Sequence, residues 1–547
     1  MNKLYYGDNL TVIRGCIDSE SVDLIYLDPP FNSQATYNVL FRSTAGEQSR
    51  AQIEAFEDTW HWGDEAELAF DGVMNGGNTD AAEMLRSMRA VLKENDMMAY
   101  LSMMAVRLLE LHRVLKPTGS IYLHCDPSAS HYLKTLMDSV FSPQHFLNEV
   151  IWKRTSGHNS AKRWGPVHDS ILFYSKGSEH CWNRVAQAYD EQYVERFYRF
   201  KDGDRRYRLG DLTGAGTRTG DSGLSWRRVN PTRVGRHWAV PNKILVSLGT
   251  RNLENLSTQE KLDLLDGHGL IYWPPKGNMP QFKRYFEETK GVAIQDVVSD
   301  VRPLSAQERM GYPTEKPPAL LERIISASSN RGEVVLDPFC GCGTTIHAAH
   351  KLKREWVGID ITHLAISLIE KRLKDAFPGI KYEVHGTPKD LDGARALANQ
   401  DKYQFQWWAV SLVNAVPFGG KKKGADSGID GLIYFKPEGK MTEKAIVSVK
   451  GGETVNVAML RDLAHVVDRE NAKIGVFITL AESTGPMRTE AVKAGFYKTL
   501  YGKYPKIQIL TIRELFEGKQ PNIPLVDASA FKRAAKERVG DQNPLPF

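Results

Sequence analysis

Hydrophobic and polar positions fall into two βα-like stretches separated by a region with neither period. SVDLIYL (Ser21 to Leu27) is almost wholly apolar and breaks at once on DPPF (Asp28 to Phe31). A short apolar run stopped by prolines predicts a buried strand that carries an acid and a rigid turn at its C-terminal end. MAYLSMMAVRLLELHRVLKPTG (Met98 to Gly119) has helical spacing and stops at Pro-Thr-Gly, and SIYLHCD (Ser120 to Asp126) predicts a second buried strand. NEVIWKR (Asn148 to Arg154) and HDSILFYSK (His168 to Lys176) add two more strand-like segments. The rhythm returns with a helix in YPTEKPPALLERIISASSNRG, a strand and Gly-rich turn in EVVLDPFCGCGTT, a helix in IHAAHKLK and a strand in EWVGIDI. Strands alternating with helices imply a parallel sheet, so one sheet is expected from two distant pieces of chain.

Three stretches interrupt that pattern. Ser33 to about Asn95, containing FEDTWHWGDEAE, shows no clear period and reads as a mobile or substrate-facing excursion. The block that ends near Val301 lacks a βαβ rhythm. After Val384 a polar stretch, HGTPKDLDGARALANQ, precedes a third unit with a helix in WWAVSLVNAV and strands in LIYF, AIVSVK and IGVFITL. A boundary is placed near 385 to 400.

A chain of 547 residues is too long for one ordinary core, and its length alone implies roughly three domains. Its hydrophobic and charged shares, 41 % and 25 %, are those of a folded globular protein rather than a disordered one. MNKLYYGDNLTV lacks the apolar core of a signal peptide and no apolar run nears about 18 residues, so the expected location is cytoplasmic, with no membrane partner. The cysteines at 16, 125, 181, 340 and 342 form neither a CxxC pair nor a zinc-like cluster, which excludes a disulfide framework and a structural zinc site.

The net charge of +5 permits a polyanionic partner without requiring one, so its distribution matters more. RFYRFKDGDRRYR (Arg196 to Arg208) and WRRVNPTRVGRHW (Trp226 to Trp238) interleave basic residues with aromatic rings. Phosphate contacts and base stacking call for that texture, and so does a solvated surface over ordinary aromatic packing.

VVLDPFCGCGTT (Val334 to Thr345) is the most informative stretch. Gly341 and Gly343 let the backbone turn tightly before a helix whose N-terminal amides face the same spot. No GK[ST] follows and the pattern is not GxGxxG, so a nucleoside without a phosphate chain fits better than ATP or NAD. Asp360, about twenty residues on at the end of EWVGID, stands where a carboxylate can hold ribose hydroxyls. Capping or turn formation explains either acid singly, but less well Asp337 and Asp360 together beside this loop.

Taken together, DPPF, PTEKP and DPFCGCGTT with its downstream acid resemble the S-adenosylmethionine-dependent DNA amino-methyltransferases that act on adenine N6 or cytosine N4. The order, catalytic motif first and cofactor loop last, resembles their β group. The resemblance implies a Rossmann-like doubly wound α/β methyltransferase sheet with an inserted target-recognition region, and S-adenosyl-L-methionine as cofactor. It places Asp337, Phe339, Gly341, Gly343 and Thr344 around the methionine end, Asp360 at the ribose, Lys316 at the carboxylate side and Asp8 at the adenine edge. Asp28, Pro29, Pro30 and Phe31 become catalytic. Arg196, Arg199, Arg205, Arg206, Arg227, Arg228, Arg233 and Arg236 become contacts to double-stranded DNA. Asp rather than Ser at the head of DPPF favours adenine N6 by family pattern, with cytosine N4 and a vestigial DNA-binding regulator as the alternatives.

Past residue 400, Asp430 at the start of one strand and Lys450 on the next resemble the Mrr-like branch of the PD-(D/E)XK nucleases. The resemblance implies an α/β restriction-endonuclease-like domain in which Asp430 binds Mg2+ and Lys450 orients water. The chain departs from that pattern twice: Ser448 replaces an acid or Gln, and Gln404 and Gln406 stand where the first helix often offers Glu. Cleavage, and retention of the fold for DNA binding or assembly alone, both remain open here. The expected organisation is a catalytic half over 1–180, a target-recognition region over 181–300, a cofactor half over 301–385, a linker over 386–402 and the nuclease-like domain over 403–547. Such a protein is expected in a prokaryotic cytoplasm beside the nucleoid, within a restriction-modification or defence function, with homodimer formation left open.

Overall fold

The computed structural model describes residues 2–30, 36–42, 48–57, 61–155, 157, 162, 164–275, 279–287, 291–305, 308–309, 315–418, 428–437, 442–500, 502–524, 537 and 539, with backbone alone between 36 and 57. Among the described residues two compact units emerge, one drawn from the stretches before 186 and after 294, the other from 186–294.

The larger unit carries a nine-stranded sheet. Its strands are β1 (Lys3–Tyr6), β2 (Val22–Leu27), β3 (Leu115–Cys125), β4 (Phe146–Lys153), β5 (His168–Ser175), β6 (Val297–Val298), β7 (Val334–Asp337), β8 (Glu355–Asp360) and β9 (Glu383–His385). They lie in the order β6-β4-β5-β3-β2-β7-β8-β1-β9. Only β5 runs antiparallel to its neighbours. The two distant pieces of chain meet at the centre, where Leu24 pairs with Val335 and Ile25 with Leu336. Central parallel strands are covered on both faces, which is why they read as unbroken apolar runs.

Alternation along β2 divides the two cores. Ile25 and Leu27 pack with helices α3 (Thr79–Leu92), α4 (Asp96–Val114) and α5 (Ser130–Phe141), while Leu24 and Tyr26 pack with α6 (Pro318–Ser328), α7 (Thr344–Lys351) and α8 (His363–Ala376). The expected α/β doubly wound class is what forms.

The stretch expected as an excursion is a correction. It holds an antiparallel hairpin (Thr36–Arg42 with Gln48–Glu57), then α2 (Asp64–Met74) and α3. Ala81, Leu85 and Met88 lie at helical spacing and are buried, but charges at Asp80, Glu83, Arg86 and Arg89 around them dilute the periodicity. Asn78 caps α3 by accepting from Ala81 N at 2.9 Å, a start signal available in the sequence.

A five-stranded sheet lies further along the same unit: β10 (Val416–Pro417), β11 (Gly431–Phe435), β12 (Glu443–Lys450), β13 (Ile474–Thr479) and β14 (Ile507–Thr511), in that order. The stretch expected as a linker contains a helix, α9 (Leu391–Gln400), whose Ala394, Leu397 and Ala398 pack with Phe405 and Trp408 of α10 (Lys402–Leu412). Asp390 caps it, and small apolar residues three and four apart supply the face that the polar composition hid.

The smaller unit is built differently. Its main sheet joins Phe200–Asp202, Arg205–Asp211, Ile271–Tyr272 and Gln281–Tyr285, all pairings antiparallel. Among the described residues no helix is long and apolar enough to cross a membrane.

Candidate functional site

The C-terminal ends of β1, β2, β7 and β8 converge on one cavity of about 280 Å3. Asp8, Asp28, Pro29, Pro30, Lys316, Asp337, Phe339, Gly341, Thr344 and Asp360 all line it. The loops that end two strands more than 300 residues apart in sequence thus share a pocket, as the crevice rule for open α/β sheets requires. Phe31 lies outside the described residues.

The loop after β7 is held by its own backbone. Gly343 N donates to Cys340 O at 2.7 Å, Cys340 N to Ile359 O at 3.1 Å and Gly341 N to the Asp360 carboxylate at 2.9 Å. Gly343 has φ +77°, and a Cβ there would lie 2.7 Å from Ile369 Cγ1, so both conformation and packing demand glycine immediately before α7. Asp360 also accepts from Thr362 N and Oγ1 at 2.9 and 3.0 Å. Burial still lifts its carboxyl to about 6 against those bonds. Asp337 is buried too, and is lifted to about 7 by burial, with Asp28 and Asp360 adding to the push and bonds from Thr345 and Phe339 N opposing it.

Asp28 sits across the pocket. Both of its oxygens accept from Lys316 Nζ, at 2.7 and 2.6 Å. The lysine of PTEKP, expected at the carboxylate side of the cofactor, therefore reaches the acid of DPPF. Asp8 caps helix α1 (Asn9–Cys16) and takes a 2.8 Å ion pair from Arg107, whose Nε donates to Asn9 Oδ1 at 2.6 Å, while Asn9 Nδ2 donates to Pro338 O at 2.9 Å. Arg107, Asn9, Tyr26 and Glu315 were not singled out from the sequence. An arginine inside the otherwise apolar run of α4 was the available signal, since a buried charge implies a partner. Glu315 supplies such a partner for Arg372, at 3.0 Å, beneath the Cys342 carbonyl.

In the C-terminal segment Asp430 precedes β11. It accepts from Gln406 Nε2 at 2.6 Å with one oxygen and from Val449 N with the other. Ser448 is buried on β12, and Lys450 ends that strand, half-buried. Gln404 turns elsewhere, accepting from His363 N at 3.2 Å. Magnesium prefers several carboxylate or water oxygens in octahedral array. One carboxylate with both oxygens engaged, a glutamine and a serine do not fit it, and among the described residues no three His, Cys, Asp or Glu side chains group to hold a metal. The expectation of Mg2+ on Asp430 gains no support from this geometry.

A family model described as DNA methylase matches residues 22–371, spanning both strands that bear the motifs. The chain belongs to the DNA methylase family. The type II methyltransferase M.EcaI of Enterobacter cloacae is 31 % identical over 375 residues, covering 68 % of this chain and 69 % of that one. The DNA adenine methyltransferase YhdJ of Escherichia coli strain K12 is 24 % identical over 372 residues, covering 68 % and 82 %. A solved structure, the cytosine-N4-specific PvuII DNA methyltransferase, matches at 13 % identity over 70 % of this chain and 89 % of that one, with a TM-score of 0.31. A second family model, described as restriction endonuclease, matches residues 397–532 of the methylase, which therefore carries an Mrr-type restriction-endonuclease domain.

The basic block of the methylase is more internally committed than its sequence implied. Trp226 and Trp238 are 2 % exposed and meet edge to face at 5.8 Å, and Tyr207 and Tyr285 share their core. Those rings cannot serve as stacking platforms for bases. Arg227 pairs with Asp266 at 2.6 Å, Arg236 with Asp211 at 3.4 Å and Arg205 lies 3.7 Å over the Tyr285 ring. Arg196, Arg199 and Arg228 lie over Phe197, Phe200 and Trp273, Arg206 accepts from Phe286 N with its carbonyl, and Arg233 occupies a short 3-10 turn.

Proposed function

We propose that the chain is a site-specific DNA methyltransferase that places the methyl group of S-adenosyl-L-methionine on N6 of adenine in duplex DNA. The observation that carries this reading is the shared pocket of Asp28, Pro29, Asp337 and Asp360. The pocket fits the cofactor chemically: carboxylates on two walls suit a cationic sulfonium and ammonium, Asp360 suits a ribose diol, and the left-handed Gly343 opens the loop below them. Asp337, Phe339, Gly341, Gly343 and Thr344 would hold the methionine end, Asp360 the ribose, and Asp8 with its Arg107 brace the adenine edge. Bound there, S-adenosylmethionine supplies an electrophilic methyl.

The rest falls to the chain. The exocyclic amine of adenine is a poor nucleophile because its lone pair is delocalised. If the Asp28 carboxylate and the Pro29 carbonyl accept its two hydrogens, the nitrogen becomes pyramidal and can attack in line, with position and electrostatics giving the acceleration. Lys316 Nζ donates to both Asp28 oxygens and holds that side chain at the rim until the amine arrives. A duplex base reaches such a pocket only by flipping out of the stack, with the basic residues of the smaller unit contacting phosphates. Asp at the head of DPPF and the adenine specificity named for YhdJ support N6 over N4.

The test is to incubate the protein with labelled cofactor and PCR-amplified genomic DNA, digest to nucleosides and identify the product. N6-methyladenine is expected, and N4-methylcytosine alone would overturn the adenine assignment. For the C-terminal domain we infer DNA binding without hydrolysis, because Asp430 is engaged and stands with Gln406 and Ser448 in place of acids. The same DNA should stay intact in millimolar magnesium, and cutting that disappears in Lys450→Ala would show a working nuclease instead.

A further inference from the structure

Behind the pocket a line of polar side chains crosses three strands on one face of the sheet and ends at Arg154, just past β4. Tyr26 OH lies 2.8 Å from His124 Nδ1, His124 Nε2 lies 3.0 Å from Asp169 Oδ2, and Arg154 Nε lies 3.2 Å from Asp169 Oδ1. Register explains the alignment. Tyr26 pairs with Tyr122 and Leu27 with Leu123, so His124 follows beside the end of β2, while Asp169 pairs with Trp152 on the far side of β5. Tyr122, Phe173, Trp152 and Tyr26 all belong to the core that includes α6 and α7, which puts His124 and Asp169 on that same face by the two-residue period.

The bonding fixes a direction. Asp169 is buried, which pushes its carboxyl up, but the hydrogen bond and electrostatic pull of His124, followed by the charges of Arg154 and Lys316, outweigh burial and hold it below the usual range. An ionised Asp169 can only accept, so His124 Nε2 carries hydrogen and Nδ1 presents a lone pair. Burial and the nearby Lys316 keep the ring neutral, against the pull of Asp169. Nδ1 therefore takes the Tyr26 hydroxyl hydrogen. The Tyr26 oxygen keeps its lone pairs, and Tyr26 lines the same cavity as Asp28, which follows the end of β2.

We propose that Tyr26, polarised by His124 and Asp169, forms a preorganised acceptor in the methyl-transfer pocket that stabilises the positive charge passing from the sulfonium to the target amine. The inference rests on the methyltransferase reading above. Each link in a hydrogen-bonded chain polarises the next, and a fixed dipole in a dry site needs no reorganisation as charge moves. His124 and Asp169 act through Tyr26 and are positioning residues. A purely structural network would also be buried, but its loss would cost stability without singling out the transfer step.

Tyr26→Phe separates the two, since it deletes one oxygen and keeps the ring. Single-turnover transfer from labelled S-adenosylmethionine to PCR-amplified genomic DNA should slow by roughly tenfold, the worth of one hydrogen bond in a dry pocket. The cofactor Kd should hold. Asp169→Asn should slow transfer in the parent but add nothing in the Tyr26→Phe background. Tyr26→Phe transferring at the parental rate, or equal losses from Asp169→Asn in both backgrounds, overturns the proposal. A parent that methylates no DNA overturns the methyltransferase reading together with it, whereas an active parent with an unaltered Tyr26→Phe overturns this inference alone.

Discussion

Asp28→Ala should abolish methyl transfer while leaving the cofactor bound. Asp28 stands at the rim and not in the Gly-rich loop, and both of its oxygens bond Lys316. Removing a preorganised group from the reacting centre costs about a hundred- to a thousandfold in rate, and Asp28 is proposed to do more by drawing the lone pair out of the ring. A structural cost comes with it. The Asp28–Lys316 pair is mostly buried, 18 % and 10 % exposed at the side chains, and breaking such a pair costs on the order of 3 kcal/mol. Asp28→Asn is the control, because its amide oxygen retains one acceptor and its shape. Transfer should rank parent above Asn above Ala, with cofactor titration giving a similar Kd in all three. Full transfer by Asp28→Ala would remove Asp28 from the mechanism, and lost cofactor binding with intact folding would move it to the cofactor site.

What could be read from the chain was what depends on local pattern. SVDLIYL, SIYLHCD and EWVGIDI are strands buried on both faces, so continuous apolar runs marked them. The Gly-rich turn was legible because positive φ leaves glycine little competition. What stayed hidden depends on partners chosen in three dimensions. Nothing in PTEKP says that its lysine meets an aspartate 288 positions away, and nothing in WRRVNPTRVGRHW tells a stacking platform from the two tryptophans of a small core. Helix α3 hid for another reason. It buries a narrow stripe of Ala81, Ala82, Leu85 and Met88 among charged residues, so packing rather than average hydropathy makes it a helix. Tyr26, His124 and Asp169 read as ordinary strand residues, and only the register of three neighbouring strands brings them into line.

Asp337→Asn should stabilise the cofactor-free protein at alkaline pH while weakening cofactor binding. Burial raises the Asp337 carboxyl from 3.8 to about 7, helped by Asp28 and Asp360. The native state therefore binds a proton that the unfolded chain has released across that interval. The stability this confers is complete below about pH 4 and is lost as pH rises through about 7. A shift of that size corresponds to at most on the order of 4 kcal/mol. The asparagine variant has no proton to lose, so its advantage in melting temperature should be absent near pH 4 and largest near pH 8. On the proposed reading the carboxylate is kept for its charge: once ionised, it would face a cationic ligand in the same pocket as Asp360, itself lifted to about 6. Cofactor affinity of the parent should accordingly rise with pH between about 6 and 7, and the variant should bind about tenfold more weakly above that range, as expected for one charge at several ångströms in a medium of intermediate dielectric. Lower melting at pH 8 with unchanged affinity would show that Asp337 serves the fold of the loop and not the charge of its ligand. Higher melting with weaker binding would identify a buried acid maintained at a cost in stability because the site needs a negative charge.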